Sequence, residues 1–327
     1  MFMILIAIFV LAGLWLLPGA VGAGPGLPVG TPPQVAASEA LRFPYYAPPS
    51  QMYLCGEPVP LEDPEVREAL DREFIIEVWS RAQTTMWLKR AARYFPEIER
   101  KLRTRRLPLD LKYVVLVESD LRTTARSSAG ALGPWQFMAP TAQHFQLRCD
   151  KSVDERLEFG AATDAALTYL DRLHQLFRSW PLALAAYNAG EGRVQKAIAA
   201  QGVNDYYRLS LPEETERYVF RVLAAKIILE DPGRYGYDIP GDQLYSPQDY
   251  DEVRLTLAKE VPVRKLAEAG GTYYKAFKTL NPWIKGDTLC AGTFRVKIPK
   301  GSAPRFEAAI RQAEAAAPGT SGAGAKK

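Results

Sequence analysis

Between residues 63 and 228 the sequence repeats one pattern, in which a helix-start signal is followed by apolar residues at helical spacing. Asp63 is a suitable N-cap, Pro64 fits the first helical position, and Glu65 suits the positive end of the helix dipole. Pro212 opens another such segment near the end of the range. Apolar residues that recur every three or four positions indicate amphipathic helices. The pattern therefore predicts a mainly α fold.

One apolar segment, LKYVVLVESD at residues 111–120, is compatible with two structures. Its Val and Tyr residues favour a buried strand, whereas a proline and an aspartate just upstream favour the start of a helix. On a helix, Val114, Val115 and Glu118 share one face, so a carboxyl group stands where an apolar side chain is expected. Burial there would raise its pKa and keep it protonated. Glu118 is therefore a candidate catalytic acid, while Asp120 is expected to point elsewhere.

The two ends of the chain differ from its centre. Residues 1–23 start with a continuous apolar run and finish in small residues, which is typical of a secretory signal peptide. No Lys or Arg precedes the run, so an uncleaved membrane anchor is the alternative. Both interpretations predict an exported protein of the periplasm or cell envelope. Residues 24–50, rich in Gly, Pro and Ala, indicate a linker, and residues 317–327 have the composition of a disordered tail.

The net charge and the cysteine content indicate which polymers, metals and cofactors the chain could bind. The formal net charge of +4 over 327 residues permits attraction to an anionic polymer without requiring nucleic acid. The basic run at residues 100–106 is predicted to be a solvated face, with contact to an anionic wall polymer as the alternative. Cys55, Cys149 and Cys290 lie far apart in a chain with two histidines, so we predict no metal and no cofactor. One thiol at least is free, and a disulfide between the other two is left open.

Four short motifs follow one another along the helical segment. They are ES at residues 118–119, GALGPWQF at 130–137, AAYNAGEGRV at 185–194 and LPEETERYV at 211–219. In this order and at this spacing they make residues 107–228 resemble the lytic transglycosylases of the soluble-lysozyme-like superfamily, and in particular the membrane-bound type D branch. The resemblance implies a lysozyme-like helical catalytic domain at residues 107–235, preceded by an N-terminal helical extension at residues 51–106.

The resemblance also implies a reaction. Such enzymes cleave the β-1,4 bond between N-acetylmuramic acid and N-acetylglucosamine in peptidoglycan and leave a 1,6-anhydro end. Ordinary glycosidases need two carboxyl groups, one as acid and one to activate water or to attack the sugar. Here the sugar's own 6-hydroxyl attacks, so one group can suffice. Glu118 would protonate the leaving oxygen and then, as a carboxylate, deprotonate that hydroxyl.

Six further residues are carried over from the resemblance as substrate-binding candidates. They are Ser119, Gln136, Tyr187, Asn188, Glu214 and Tyr218. Ser119 would hydrogen-bond the substrate or orient the site, and Gln136 would contact an acetamido group. Tyr187 would hydrogen-bond near the catalytic acid, and Asn188 would hold the substrate. Pro134 departs from the family, which usually has Leu or Met at this position.

Residues 246–316 follow a different pattern. A short strand is predicted at residues 253–257, followed by two short helices and a strand in which Phe294, Val296 and Ile298 alternate with polar residues. YYKAFKTLNPWI and DTLCAGTFRVKIPKG resemble the second half of a LysM domain, a βααβ module that binds N-acetylglucosamine polymers. The first half lacks the usual start. The module therefore either binds sugar or is a degenerate form that only packs on the catalytic domain.

The leading hypothesis is a peptidoglycan lytic transglycosylase. One alternative is a hydrolase on the same fold, which would need a second group to activate water. Another is a non-catalytic wall-binding protein. Nucleic-acid binding rests only on the basic run of an exported chain and is not predicted. The sequence leaves open whether cleavage occurs within glycan strands or at their ends, and it does not fix the oligomeric state.

Overall fold

The computed structural model describes residues 44–315. The signal or anchor segment at residues 1–23, the tail at 317–327 and most of the linker at 24–50 lie outside the described residues. Within residues 44–315, no helix is both long enough and apolar enough to cross a membrane.

The described part before residue 246 contains one β-ribbon and eight α-helices. In chain order these are β1 (Tyr53–Leu54), β2 (Glu57–Pro58), α1 (Pro64–Trp79), α2 (Arg81–Arg105), α3 (Val114–Ser119), α4 (Ala139–His144), α5 (Phe159–Phe177), α6 (Trp180–Ala189), α7 (Glu191–Gln201) and α8 (Glu213–Glu230). β1 and β2 pair antiparallel. The prediction of a mainly α fold is confirmed.

The predicted start of α1 is present in atomic detail. The Asp63 carboxylate accepts a hydrogen bond from the Glu65 backbone N–H at 2.9 Å, and Pro64 is the first helical residue. Such a cap satisfies one of the backbone donors that a helix start leaves free. The apolar face of α1, with Leu70 and Phe74 fully buried, packs along α8.

The ambiguous segment is helical. A 3₁₀ helix at Leu109–Tyr113 leads directly into α3, and Val114, Val115 and Leu116 are completely buried. The segment packs against α2 and α8, with which it pairs no backbone groups in a ladder. A buried strand would therefore leave its backbone donors and acceptors unpaired, whereas a helix pairs them internally.

One hydrophobic core unites the predicted extension and the predicted catalytic domain. Trp87 and Leu102 from residues 51–106 are buried in the same cluster as Leu116 from residues 107–235. The boundary between these two ranges thus marks where the motifs begin, and the packing runs across it.

The C-terminal part forms a second, smaller core. Its elements are β3 (Tyr250–Leu257), β4 (Val261–Pro262), α9 (Val263–Ala269), α10 (Tyr274–Leu280), β5 (Thr288–Leu289), β6 (Gly292–Pro299) and α11 (Ala303–Ala315). β3 pairs antiparallel with β6, and the short strands β4 and β5 pair antiparallel with each other. The two long strands, β3 and β6, thus stand before and after the two helices α9 and α10 in the chain. Phe294, Val296 and Ile298 point inward from β6 as their alternation predicts, and Phe277 of α10 is buried beside them.

The loop that leads into α5 holds this module against the helical part. The Asp154 backbone N–H donates to the Trp283 carbonyl oxygen at 2.9 Å. Lys297 Nζ of β6 lies 2.5 Å from Glu158 Oε1, which also caps α5 by accepting the hydrogen bond of the Ala161 N–H through its other oxygen. This largely buried ion pair therefore connects β6 of the module to the start of α5.

All three cysteines are unpaired. Cys55, Cys149 and Cys290 are free thiols in partly buried positions. The question of a disulfide, which the sequence left open, is thereby answered for this structure.

Candidate active site

Glu118 lies in the last turn of α3 and faces α8. Tyr218, on the second turn of α8, donates a hydrogen bond from its hydroxyl to Glu118 Oε1 at 2.5 Å. Tyr218 itself is buried, as are Val114 and Val115 on the preceding turn of α3. The packing of α3 on α8 therefore fixes both partners of this contact.

The surroundings of Glu118 change its acidity. Burial raises the pKa of Glu118 to about 7, while the hydrogen bond from Tyr218 and the charge of Arg221 act in the opposite direction. The negative charge of Glu214 raises this pKa further. Part of the side chain reaches solvent, but the carboxyl group is closely surrounded by protein atoms, so burial is the leading cause. A carboxyl group of this kind can both donate and accept a proton near neutral pH.

Tyr187 and the GPWQF loop form the wall next to the acid. The Tyr187 hydroxyl donates to the Trp135 carbonyl oxygen at 2.9 Å, so it anchors the loop rather than bonding to Glu118 directly. Burial, followed by the negative charge of Glu118, raises the pKa of Tyr187 well above its ordinary value. Tyr187 therefore lies close enough to Glu118 for the charge of the carboxylate to act on the Tyr187 hydroxyl.

Ser119 connects α3 to the same loop. Its hydroxyl donates to the carbonyl oxygen of Pro134 at 2.7 Å and lies 3.2 Å from that of Val115. The side chain is buried. Of the two roles predicted for Ser119, orientation of the site fits this placement, and contact with substrate stays a prediction.

Gln136 occupies a strained turn of the loop. Its backbone has φ +49°, and its side-chain amide nitrogen donates to the carbonyl oxygens of Gly133 at 2.7 Å and Ala125 at 3.2 Å. Gly133 has φ +86°, and a Cβ there would lie 1.9 Å from the Arg156 carbonyl oxygen. Only glycine permits this close approach. The hydrogen bonds of Gln136 and the close packing of Gly133 on Arg156 therefore both hold the loop in place. The Gln136 side chain stays partly exposed.

Asn188 and Glu214 complete the surroundings from α6 and α8. Asn188 Oδ1 accepts a hydrogen bond from the Thr215 hydroxyl at 2.9 Å, which ties the end of α6 to the first turn of α8. Glu214 is exposed in that turn, and its charge acts on Glu118. The four motifs are thus brought together around one carboxyl group, and contact of these residues with substrate stays a prediction.

Asp120 is turned away from the site, as expected. Its Oδ1 accepts hydrogen bonds from Trp87 Nε1 at 2.7 Å and Gln83 Nε2 at 3.0 Å, both on α2. The residue adopts φ +55° where α3 ends, a conformation that Asp tolerates better than most residues. Asp120 therefore fastens α3 to α2.

The sequence interpretation missed a set of charged residues behind the site. Arg217 Nε donates to Glu73 Oε1 at 2.7 Å, and Arg221 Nε lies 4.0 Å from Glu77 Oε1. The two glutamates stand four residues apart on α1, and the two arginines four apart on α8. This i, i+4 spacing, which places side chains on one helix face, is a signal that could have identified them.

The fold and the site define a mainly helical domain built around one enclosed carboxyl group. A family model described as "Transglycosylase SLT domain" matches residues 96–209 of the chain. The resemblance drawn from the four motifs is thereby confirmed. The match ends just before the last motif, so Glu214 and Tyr218 lie beyond it.

The similarity extends to the type D branch. The chain is 36% identical over 234 residues to the "Membrane-bound lytic murein transglycosylase D" of Escherichia coli K12, and the same values hold for a second strain of that species. The alignment covers 70% of this chain and 51% of that protein, so the chain spans about half the length of the curated relatives it matches.

Two solved structures share 22% sequence identity with the chain. The lytic transglycosylase Slt of Pseudomonas aeruginosa has a TM-score of 0.34, covering 47% of this chain and 26% of the other. The 70 kDa soluble lytic transglycosylase of Escherichia coli has a TM-score of 0.38, covering 52% and 29%.

Proposed function

We propose that the protein is a peptidoglycan lytic transglycosylase. It would cleave the β-1,4 bond between N-acetylmuramic acid and N-acetylglucosamine and leave a 1,6-anhydro end. The observation that carries the proposal is Glu118, one carboxyl group whose pKa burial raises to about 7 at the point where all four motifs meet. The names of the relatives, which are lytic murein transglycosylases, support the class of substrate.

The reaction uses Glu118 twice. As an acid it protonates the glycosidic oxygen while the bond from that oxygen to C1 of the muramic acid breaks. The 6-hydroxyl of the same sugar then attacks C1, and its proton passes to the Glu118 carboxylate. The acid is regenerated and no water is consumed. A pKa near 7 serves both steps, because neither protonation state is strongly disfavoured at neutral pH.

Tyr218 is proposed to support the carboxylate between the two steps. Its hydroxyl donates to Glu118 Oε1, and hydrogen bonds to a charged acceptor are stronger than those to a neutral one. The bond therefore stabilises Glu118 most when the proton has been given away. Its effect on the Glu118 pKa opposes the effect of burial, which keeps Glu118 protonated before the first step.

The remaining motif residues are proposed to bind the glycan strand. Gln136, Asn188 and Glu214 are partly or fully exposed around Glu118, whereas Ser119 is buried and Tyr187 is tied to the loop. The first three are therefore the better candidates for direct contact. Ser119 and Tyr187 would hold the loop and α3 in their relative positions.

The decisive experiment compares the wild type with Glu118→Gln on purified sacculi. The wild type should release muropeptides with 1,6-anhydro ends, identified by mass spectrometry. The variant should be slower by at least about 100-fold, the contribution of a general acid. Glu68→Gln, an exposed position on α1, is the matched control and should retain wild-type activity.

Products that end in reducing muramic acid would instead indicate a hydrolase. The exposed Glu214 would then be the group to test as the activator of water, since its charge acts on Glu118. Equal activity of the wild type and Glu118→Gln would contradict the proposed role of the acid.

We further propose that the C-terminal module binds N-acetylglucosamine polymers. Its βααβ order supports this, together with the exposed Tyr273 and Tyr274 at the start of α10. Tyr274 donates to Asp287 Oδ1 at 2.7 Å, which connects α10 to the loop before β5. Exposed aromatic side chains offer apolar faces on which sugar rings can pack.

Retention on sacculi tests this second proposal. Full-length Glu118→Gln is used as the background so that the polymer stays intact. Adding Tyr273→Ala, which removes a side chain that is 70% exposed, should weaken retention. Tyr53→Ala, which removes a tyrosine 57% exposed on β1, is the control. Equal retention of both would favour a module that only packs on the helical part.

The cell envelope is the proposed location. The names of the type D relatives and the apolar segment at residues 1–23 support it. Fractionation of cells that produce the full chain separates the two versions of this proposal. A cleaved signal peptide predicts the periplasmic fraction, and an uncleaved anchor predicts the membrane fraction.

A further inference from the structure

Two acidic and two basic side chains meet along the packing of α1 on α8. Glu73 and Glu77 stand one turn apart on α1, with 1% and 4% of their surface exposed. Arg217 binds Glu73 through two nitrogens, at 2.7 and 3.2 Å. Arg221, one turn further along α8, lies 4.0 Å from Glu77.

The second pair is much looser than the first. Glu77 Oε2 is buried and has no hydrogen-bond partner among the described residues. Burial raises the pKa of Glu77 to about 7, with Arg221 as the leading opposing influence. A buried, incompletely paired carboxylate costs stability, so its presence calls for an explanation other than packing.

Arg221 connects this carboxylate to the site. It follows Tyr218 by one helical turn, and Tyr218 is the residue bonded to Glu118. The charge of Arg221 lowers the pKa of both Glu118 and Glu77. The two carboxyl groups therefore share the positive charge of Arg221.

We propose that Glu77 is a positioning residue that controls the proton affinity of Glu118 through Arg221. When Glu77 is ionised, it attracts and partly neutralises Arg221, which then stabilises the Glu118 carboxylate less. When Glu77 carries no charge, the full field of Arg221 acts on Glu118 and favours loss of its proton. The inference rests on the proposed role of Glu118 as the proton donor.

Other nearby charges do not account for the same effect. The groups that act on Glu77 are Arg221, Glu73, Asp120 and Arg217. The groups on or near Glu118 are Tyr218, Arg221, Glu214 and Tyr187. Glu73 is already bound by Arg217 at both oxygens, and Asp120 is held by α2. Glu214 is exposed, so solvent and salt screen its charge more strongly.

Two groups with overlapping titration ranges that interact in this way share their apparent pKa values. Glu77 and Glu118 both titrate near neutral pH. The proton affinity of Glu118 should therefore respond to a change at Glu77 even though α1 contributes none of the four motifs.

The test follows the titration of the Glu118 side-chain carboxyl carbon by NMR in the full-length protein. Its resonance is assigned from its loss in Glu118→Gln. Glu77→Gln should lower the Glu118 pKa by about half a unit, and Arg221→Met should raise it by about 1 unit. Arg221→Lys keeps the charge and should change it least. Glu68→Gln controls for the loss of a distant acidic charge on α1.

The double variant Glu77→Gln/Arg221→Met tests whether the effect of Glu77 on Glu118 passes through Arg221. If Glu77 acts through Arg221, adding Glu77→Gln to Arg221→Met should cause no further shift. The alkaline limb of the pH–activity profile on sacculi should move with the NMR values, because it reports the essential acid of the free enzyme.

The outcomes separate this inference from the proposed function. A Glu118 titration that is unchanged in Glu77→Gln would overturn the inference, even with a fully active enzyme. A wild type without anhydro products would refute the proposed function, while the NMR titration would still measure the coupling. Should Glu77→Gln fail to fold, the contrast between Arg221→Met and Arg221→Lys decides the role of the shared charge.

Discussion

Tyr218→Phe isolates one influence on the candidate acid. The substitution removes the hydroxyl that donates to Glu118 Oε1 and keeps the buried ring between α8 and α3. The hydrogen bond favours the ionised form of Glu118, so its loss should raise a pKa that already lies near 7. The prediction therefore has a definite sign.

The size of the effect follows from the bond. A hydrogen bond to a charged group contributes about 1.5–3 kcal/mol. One pKa unit corresponds to about 1.36 kcal/mol, so the loss should raise the Glu118 pKa by about 1 to 2 units. Solvent reaches part of the side chain and replaces some of the bond, which favours the lower end of this range.

The assay is the pH dependence of kcat/KM for release of anhydro-muropeptides. In Tyr218→Phe its alkaline limb should move to higher pH by about 1 unit or more. Tyr237→Phe is a matched control, because that buried tyrosine bonds to the Val78 carbonyl oxygen away from the site. An alkaline limb that stays in place, or moves to lower pH, would show that Tyr218 does not stabilise the Glu118 carboxylate.

Two further predictions concern stability. Gly133→Ala should destabilise the fold by about 3 kcal/mol or more, because the new Cβ would lie 1.9 Å from the Arg156 carbonyl oxygen at a φ of +86°. Gly130→Ala, with a φ of +91° but open space, should cost only about 1 kcal/mol in the same urea unfolding assay. Lys297→Met should cost about 3 kcal/mol at neutral pH, because it leaves Glu158 buried without its cation. Although burial opposes it, Lys297 holds the pKa of Glu158 below its ordinary value, so this loss should shrink as pH falls through that lowered pKa. A loss that does not shrink on acidification would contradict the ion-pair explanation.

Helix starts and the candidate acid could be predicted from local sequence. Asp63 and Pro64 begin α1 because capping involves only a few adjacent residues. Glu118 stood out because it interrupted an apolar helix face, and the structure places it where burial raises its pKa. The alternating residues of β6 were likewise sufficient to predict its inward face.

The choice between strand and helix at residues 111–120 was not local. Its Val-rich composition suits either, and the surrounding α2 and α8 decide it, since they offer no strand for pairing. The roles of motif residues also depended on packing. Ser119 and Tyr187 bond to the carbonyl oxygens of the GPWQF loop, which a list of motif positions could not reveal.

The sequence by itself thus determined the helices, the motif order and the residue that carries the proposed chemistry. These properties depend on residue type and on spacing within one segment. Only the tertiary structure decided which charges act on Glu118. Arg221 acts on Glu118, and Glu77, its partner on α1, comes from a helix more than a hundred residues away in the sequence. Electrostatic coupling depends on distance in space and on burial, neither of which the order of residues records.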